Sequence, residues 1–352
     1  MKWGIGLYTG QVPADAEHTV RDEYRFIVEQ AQLAEQLGID SLWLSEHHGA
    51  EDGYLPSLLP LAAAILGATQ RLVVGTAVML APFHNPIRLA EDVAVLDQLS
   101  GGRFILGMGT GWREREFRSF GLDPRRRGLA LQETVSILRA AWTGERFDHD
   151  GKVYDFQDVL VRPRPFTEGG PPIWLGGTGP KALARAGRIG DGHFGVGMPF
   201  EGAMTGWRAA VEARPADAPR PFAFGQMRSG FLATDAEQAF HLASRGMRYT
   251  LGVHAGWAAE LAGGTVQDAP PVSDADLRAY NLLGSAGQVS AALAPYAQEF
   301  AGRDDCHLSF RLYHPYTPRD AVLQAVESYG KDVVPRLREH ELGLPVGAAV
   351  GG

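Results

Sequence analysis

The chain has 352 residues, 45% apolar and 21% charged, the profile of a soluble globular protein built as two ordinary domains or as one barrel with insertions. Its net charge of −8 argues against a basic nucleic-acid-binding face, and its single cysteine, Cys306, excludes an internal disulfide framework and a multi-cysteine metal site. No run approaches the roughly 18 uninterrupted apolar residues of a membrane span, and the N-terminus lacks the features of a signal peptide, so the expected setting is the cytoplasm, with no membrane partner.

Short apolar runs alternate with longer segments of helical period. Trp3–Tyr8 is the first expected strand and Glu23–Leu37 the first helix, with Phe26, Ile27, Ala31, Ala34 and Leu37 on one face and Gly38 as its stop. Ser41–Ser45 precedes a helix over Pro56–Ala68. Leu72–Leu80 precedes Pro86–Leu99, which opens on proline and ends at Ser100-Gly101-Gly102. Phe104–Gly109 is followed by Gly128–Trp142, and Ile173–Gly176 by Pro180–Ile189. Strands His193–Val196 and Ala223–Leu232 come next, then a helix over Ala236–Met247. Ala286–Phe300, a strand His307–Tyr313 and a helix over Pro318–His340 complete the pattern.

These strands are near-continuous apolar runs, as in parallel sheets covered on both faces. Eight of them interleaved with helices predict an α/β protein, a (β/α)8 TIM barrel with insertions. A doubly wound sheet would carry a glycine fingerprint after the first strand, and Thr9-Gly10-Gln11-Val12 supplies none. On this reading residues 1–345 form one barrel domain. It carries a hairpin insertion at 147–165 turning on Asp150-Gly151, a mobile lid at 254–280 and a flexible tail at 346–352.

Barrel enzymes project their catalytic groups from the C-terminal ends of the strands. Glu46-His47-His48 follows the second strand and admits three readings: a metal site, a structural pair, or one acid–base histidine facing the barrel mouth. Adjacent strand residues point to opposite faces, so the two histidines do not readily share one ion, and the further ligands a metal needs are not assembled. No metal is expected. Gly176-Gly177-Thr178-Gly179 runs into Pro180 and a helix, a ready anion site, with Gly107–Gly111 one strand away. Either turn alone is equally a tight strand–helix connection; the pair favours a phosphorylated cofactor. No Gly-x-Ser-x-Gly nucleophile elbow is present.

Taken together these stretches resemble the bacterial-luciferase-like flavin-dependent monooxygenases. The resemblance is carried by Leu44–Gly49, Gly75–Asp92, Leu96–Phe104, Gly107–Trp112, Glu116-Phe117, Phe120-Gly121 and Ile173–Gly177, and is most specific in Asn85-Pro86, Ala90-Glu91-Asp92 and Asp97–Arg103. It implies a barrel that binds reduced FMN at its mouth and reacts it with O2 to a C4a-(hydro)peroxyflavin that oxygenates a small organic substrate. It implies His47 beside the flavin as the catalytic histidine, with Glu46 holding that histidine or touching the flavin. It implies a non-prolyl cis bond at Ala77–Val78 against the ring system, and a phosphate site at Gly109, Thr110 and Gly176–Gly179. Phe83, His84, Trp112, Tyr313 and His314 are the substrate-contact candidates, and Met79 joins the pocket wall.

The chain departs from the family at two places. The reactive cysteine of the luciferase α subunit falls on Gly109, and the arginine that pairs with the FMN phosphate in many members falls on Thr110. Arg113, Arg115 or Arg185, or the backbone with Thr178, would then take the phosphate. The less basic site leaves room for a deazaflavin-dependent dehydrogenase or reductase, whose members usually carry Asp-His where this chain has Glu46-His47. A non-catalytic flavin-binding relative is the third reading. FMN is the expected cofactor, with a separate NAD(P)H:flavin reductase as partner, since no Rossmann fingerprint is present, and a homodimer as the assembly.

Overall fold

The computed structural model describes residues 1–343; the tail expected at 346–352 lies outside the described residues. In chain order the first elements are β1 (Lys2–Tyr8), α1 (Val20–Gln36), β2 (Ser41–Leu44), α2 (Leu58–Ala68), β3 (Val73–Thr76), β4 (Met79–Leu80) and α3 (Pro86–Ser100). Next come β5 (Phe104–Gly109), α4 (Glu114–Ser119), α5 (Arg127–Trp142), β6 (Phe147–Asp150), β7 (Asp155–Val159), β8 (Ile173–Gly176), α6 (Pro180–Ile189), β9 (Gly192–Val196) and α7 (Phe200–Glu212). The rest are β10 (Ala223–Leu232), α8 (Ala236–Leu261), α9 (Asp274–Tyr280), β11 (Leu282–Gly284), α10 (Ala286–Glu299), β12 (His307–Arg311), α11 (Arg319–Ser328) and α12 (Val334–Glu341). Strands β1, β2, β3, β5, β8, β9, β10 and β12, each followed by helix, make this a (β/α)8 barrel protein.

The chain gathers into two compact units, one of residues 1–42, 196–203 and 225 onward, the other of 43–195 and 204–224. In the first the strand order is β11-β10-β12-β1, all parallel, with Ile5 level with Phe310 and Arg228 level with the same residue from the other side. Its core is built on Trp3, Ile5, Leu308 and Phe310, all at 0% exposure. In the second the order is β2-β3-β5-β8-β9, with β4 a short extra partner of β5. There Trp43 stacks on Trp174 at 5.3 Å and meets Phe194 at 4.6 Å, and Gly75 leaves room for it, since a Cβ at Gly75 would lie 2.2 Å from the indole.

Several boundaries differ from the sequence reading. The run Leu72–Leu80 is two strands, separated at Ala77–Val78, whose peptide bond is cis. Helix α1 starts earlier, at a capping box in which Thr19 and Asp22 satisfy each other's backbone. Helices α4, α7 and α9 and strand β11 were not anticipated; α4 and α9 are too short to show a period, and α7 lies in a Gly- and Ala-diluted stretch. The helix expected to stop at Met247 continues to Leu261, so the segment assigned to a lid begins as helix. Glycine hid this continuity. Gly246 and Gly256 are there because a Cβ would meet the Pro315 carbonyl at 1.9 Å and Val266 at 2.7 Å, not because the helix ends. The insertion after α5 is the expected hairpin, β6 antiparallel to β7.

Candidate active site

The second unit brings together most of the residues that follow strands β2, β4 and β5. Ser45, Glu46 and His47 leave β2 buried, at 7%, 1% and 7% exposure. His47 Nδ1 lies 2.9 Å from Glu116 Oε1, and the same oxygen accepts the backbone N–H of His48 at 2.9 Å and Nη1 of Arg113 at 3.3 Å. Tyr54 meets the His47 ring edge-on at 4.8 Å, its hydroxyl donating to Ser45 Oγ at 2.9 Å, and Trp112 meets it edge-on at 6.1 Å. The imidazole is therefore braced on two sides and tethered at one nitrogen.

Electrostatics decides the tautomer. Burial works to raise the pKa of Glu116, but the hydrogen bond and charge of His47, the His48 N–H and the nearby Arg113 outweigh it and hold the carboxyl below the usual range. An ionised carboxylate only accepts, so Nδ1 of His47 carries hydrogen, and in the neutral ring Nε2 is the basic nitrogen. Glu116 Oε2 is buried and has no hydrogen-bond partner.

Glu46 does not hold His47, the first of the two roles expected of it. Its Oε1 lies 2.7 Å from Nε2 of His48 and 3.1 Å from Nε2 of His84, because the residue alternation of the strand end sends Glu46 and His47 to different sides. Burial again opposes ionisation, while the bonds and charges of His48 and His84 hold the Glu46 carboxyl below the usual range. The two histidines thus belong to different carboxylates, and among the described residues no three His, Cys, Asp or Glu side chains form a metal-holding group. Phe83 packs against His48 at 5.3 Å and stacks on Phe120 at 4.8 Å, which walls this second cluster with aromatic rings.

The Glu46 environment has a testable pH signature. Its folded pKa lies below the unfolded value near 4.5, so its stabilisation is present above pH 4.5 and is lost as pH falls through the folded value. Glu46→Gln is expected to cost about 1–3 kcal/mol at pH 7. In urea titrations the gap between wild type and variant should close below pH 4.5; a gap that stays constant to pH 3.5 would show that the carboxylate charge is irrelevant.

The phosphate candidates divide. Val78, following the cis bond, fills the space beside two glycines: a Cβ at Gly109 would lie 2.6 Å from it and one at Gly176 2.8 Å. Gly109 is thus required by a neighbouring side chain, and Thr110, half-buried at the strand end, donates to the Gly111 carbonyl at 3.3 Å. Gly177, Thr178, Gly179 and Pro180 are exposed, and a Cβ at Gly179 would meet nothing within 4 Å, so this turn is open to a ligand. Arg113, considered for the phosphate, is 4% exposed and committed to Glu116 and the His48 carbonyl. Arg185, on α6, has a buried Nε without a partner, and burial together with the charges of Arg188 and Arg127 pulls its pKa down. An open helix N-terminus and an uncompensated guanidinium on the same helix fit an anionic group such as a cofactor phosphate.

Tyr313 and His314 lie in the other unit and have their own networks. Tyr313 stacks on Tyr8 at 5.6 Å, and its hydroxyl lies 3.5 Å from the Gln11 carbonyl. His314 Nε2 lies 3.1 Å from the Gly230 carbonyl, and burial, with Arg311 nearby, pushes its pKa down to about 3, so the ring is neutral. Met79 is fully buried. Glu116 is the residue the sequence reading passed over as a functional group. Its signal was there: Arg113 and Glu116 stand three apart, the spacing of an ion pair on one helical turn.

Comparison with known proteins places this arrangement. Over 175 residues the chain is 35% identical to the alkanal monooxygenase alpha chain of Photorhabdus luminescens, a match covering 50% of this chain and 48% of that protein. It is 38% identical over 176 residues to an F420-dependent glucose-6-phosphate dehydrogenase of Mycolicibacterium fortuitum, covering 48% of this chain and 52% of that one. The matches thus span about half the length of these curated relatives. The oxygenating constituent of 3,6-diketocamphane monooxygenase of Pseudomonas putida, solved in complex with FMN, superposes with a TM-score of 0.76 over 96% of this chain and 98% of that one. At 22% identity that likeness is one of fold. No helix among the described residues is long and apolar enough to cross a membrane. A profile described as luciferase-like monooxygenase matches residues 1–302, and the chain belongs to the luciferase-like monooxygenase family.

Proposed function

We propose that this protein is a flavin-dependent monooxygenase that uses reduced FMN and O2 to oxygenate a small organic substrate. The observation that carries this reading is the buried His47–Glu116 pair, an imidazole held in one tautomer by an ionised carboxylate. Reduced FMN, when bound, supplies the two electrons with which one oxygen atom of O2 enters the substrate and the other leaves as water. The exposed turn at Gly177–Gly179, with Thr178 and Arg185, would hold the phosphate, and Ala77 and Val78 would line the ring system. His47 would hold or move a proton at Nε2, while Glu116 and Tyr54 keep the ring from turning. The Trp112 ring would keep water from that nitrogen. The reading includes a separate NAD(P)H:flavin reductase as the source of reduced FMN, a homodimer and a cytoplasmic setting.

A deazaflavin-dependent dehydrogenase is the second reading, favoured by Thr110 where a phosphate-pairing arginine is expected and by the likeness to an F420-dependent dehydrogenase. The two separate on cofactor and on oxygen. Anaerobic fluorescence titration with reduced FMN and with a deazaflavin is expected to give at least tenfold tighter binding of FMN. Turnover of a panel of aldehydes, ketones and alkanesulfonates under 18O2 is expected to place one labelled atom in the product. Preferential deazaflavin binding with O2-independent substrate oxidation would replace this reading by the second.

A further inference from the structure

Glu23 is a buried carboxylate that the proposed chemistry does not use. It stands close to the start of α1, yet its side chain is turned inward and is 1% exposed. Oε1 has no hydrogen-bond partner, and Oε2 lies 3.1 Å from Nε2 of His18. Both residues belong to the first unit. The other charged and titratable groups that face Glu23 come from α11, β1, α1 and the chain just beyond β12. Arg319 opens α11 with its guanidinium over the Phe26 ring, 4.8 Å from the ring centre, and reaches Glu23 through its field alone. Tyr8, Tyr24 and Tyr313 are neutral phenols within the field of the carboxylate, Tyr313 within bonding reach of it.

His18 is the partner that no regular element anchors. It lies in residues 9–19, the segment between β1 and α1, which has neither strand nor helix. Its side chain is 28% exposed, so the imidazole touches water on one side and a buried carboxylate on the other. The segment has a second fastening at Asp15, which meets Arg245 at 2.9 Å and the Tyr316 hydroxyl. Asp15 and Arg245 are both largely exposed, and such pairs contribute little.

His18 and Glu23 share one proton, as imidazolium with carboxylate or as imidazole with carboxylic acid, and either form has no net charge. Removing that proton leaves a carboxylate out of water beside a neutral ring, a costly arrangement. Burial accordingly raises the Glu23 pKa, against the pull of Tyr313, His18 and Arg319. A carboxyl whose folded pKa lies above its unfolded value near 4.5 stabilises the fold below that value. The contribution is lost as pH rises through the folded value. The cheapest relief is local: residues 9–19 lift, and water reaches the carboxylate.

We propose that His18 and Glu23 form a proton-operated clasp that fastens residues 9–19 in mildly acidic solution and releases them as pH rises. Release uncovers Thr9 and Gln11, both 0% exposed, just beyond the C-terminal end of β1. In a (β/α)8 barrel ligands are bound at that end of the strands, so the clasp makes access to this strand end depend on pH. The inference concerns this segment alone and stands whether the protein uses FMN or a deazaflavin.

Amide hydrogen–deuterium exchange of the full-length protein between pH 6 and pH 8.5, corrected for the intrinsic pH dependence of exchange, tests this on peptides covering residues 9–19. In wild type the corrected rate should rise about tenfold over this range while peptides from the middle of β1 and β12 stay protected. Glu23→Gln keeps the shape and has no charge to hydrate, so its corrected rate should not rise. It should also melt at or above the wild-type temperature at pH 8.5 and lose that advantage at pH 6. His18→Gln removes the ionic contact and should exchange faster than wild type at pH 6. Asp15→Asn, at the exposed fastening, should keep the wild-type pH dependence. A corrected wild-type rate that does not change with pH would overturn the proposal. So would an unaltered rise in Glu23→Gln, wild-type protection of His18→Gln at pH 6, loss of the pH dependence in Asp15→Asn, or a melting-temperature difference for Glu23→Gln that is the same at both pH values. Should Glu23→Gln fail to fold, the comparison of wild type with His18→Gln decides by itself.

Discussion

Glu116→Gln is expected to lower kcat by roughly 10²-fold, close to the ~10²–10⁴-fold loss expected for His47→Ala, and the double variant should be no worse than His47→Ala alone. The amide keeps the size of the carboxylate and one accepting oxygen, so the fold is little disturbed. What it loses is the charge, and with it the preference for a hydrogen on Nδ1. It also presents an N–H₂ group that can turn toward His47 Nδ1 and reverse the tautomer. Glu116 also binds the His48 N–H and Arg113 through the same oxygen, so its removal loosens the strand end that carries His47. Because the residue acts through His47, KM and FMN affinity should stay within about threefold while kcat falls. Full additivity of the two losses would mean that Glu116 does not work through the histidine, and an unchanged kcat in His47→Ala would remove the proposed acid–base role.

Gly107→Ala should cost about 3 kcal/mol or more, or prevent folding altogether. A Cβ at this position would lie 1.8 Å from the Thr76 carbonyl oxygen, a backbone atom of the neighbouring strand. The two residues are locked, with Thr76 Oγ1 donating to the Gly107 carbonyl at 2.7 Å and accepting its N–H at 2.9 Å, so the strands cannot separate to admit a methyl group. Gly67→Ala on α2 is the control. Nothing lies within 4 Å of its added Cβ, and the helix should gain about 0.5–1 kcal/mol. Thermal melts of the pair should move in opposite directions; equal shifts would show that glycine content, not close strand contact, sets stability here.

These two glycines show how far the sequence could be read. Gly107 stood in a glycine-rich run that suggested access for a ligand, and the structure gives it to a neighbouring carbonyl instead. Glycine marks a close approach in either case, and its identity does not say whether the approaching group is a ligand or the next strand. The same ambiguity hid the length of α8, where Gly256 fell in a stretch without a clean period and serves as a contact point. The turn Gly177–Gly179 is exposed, and at Gly179 nothing stands within 4 Å of an added Cβ, so a ligand can reach it.

The alternation of apolar runs and helical periods by itself determined the fold class and the order of the eight barrel strands, because periodicity is a local property of the chain. Local signals also placed His47 at the end of β2 and the helix N-terminus after Gly179. Which carboxylate holds which histidine is not local. Glu46 is next to His47 in the chain yet reaches His48 and His84, while Glu116, 69 residues away, supplies the partner of His47. That pairing depends on how the loop after β5 folds back over the end of β2.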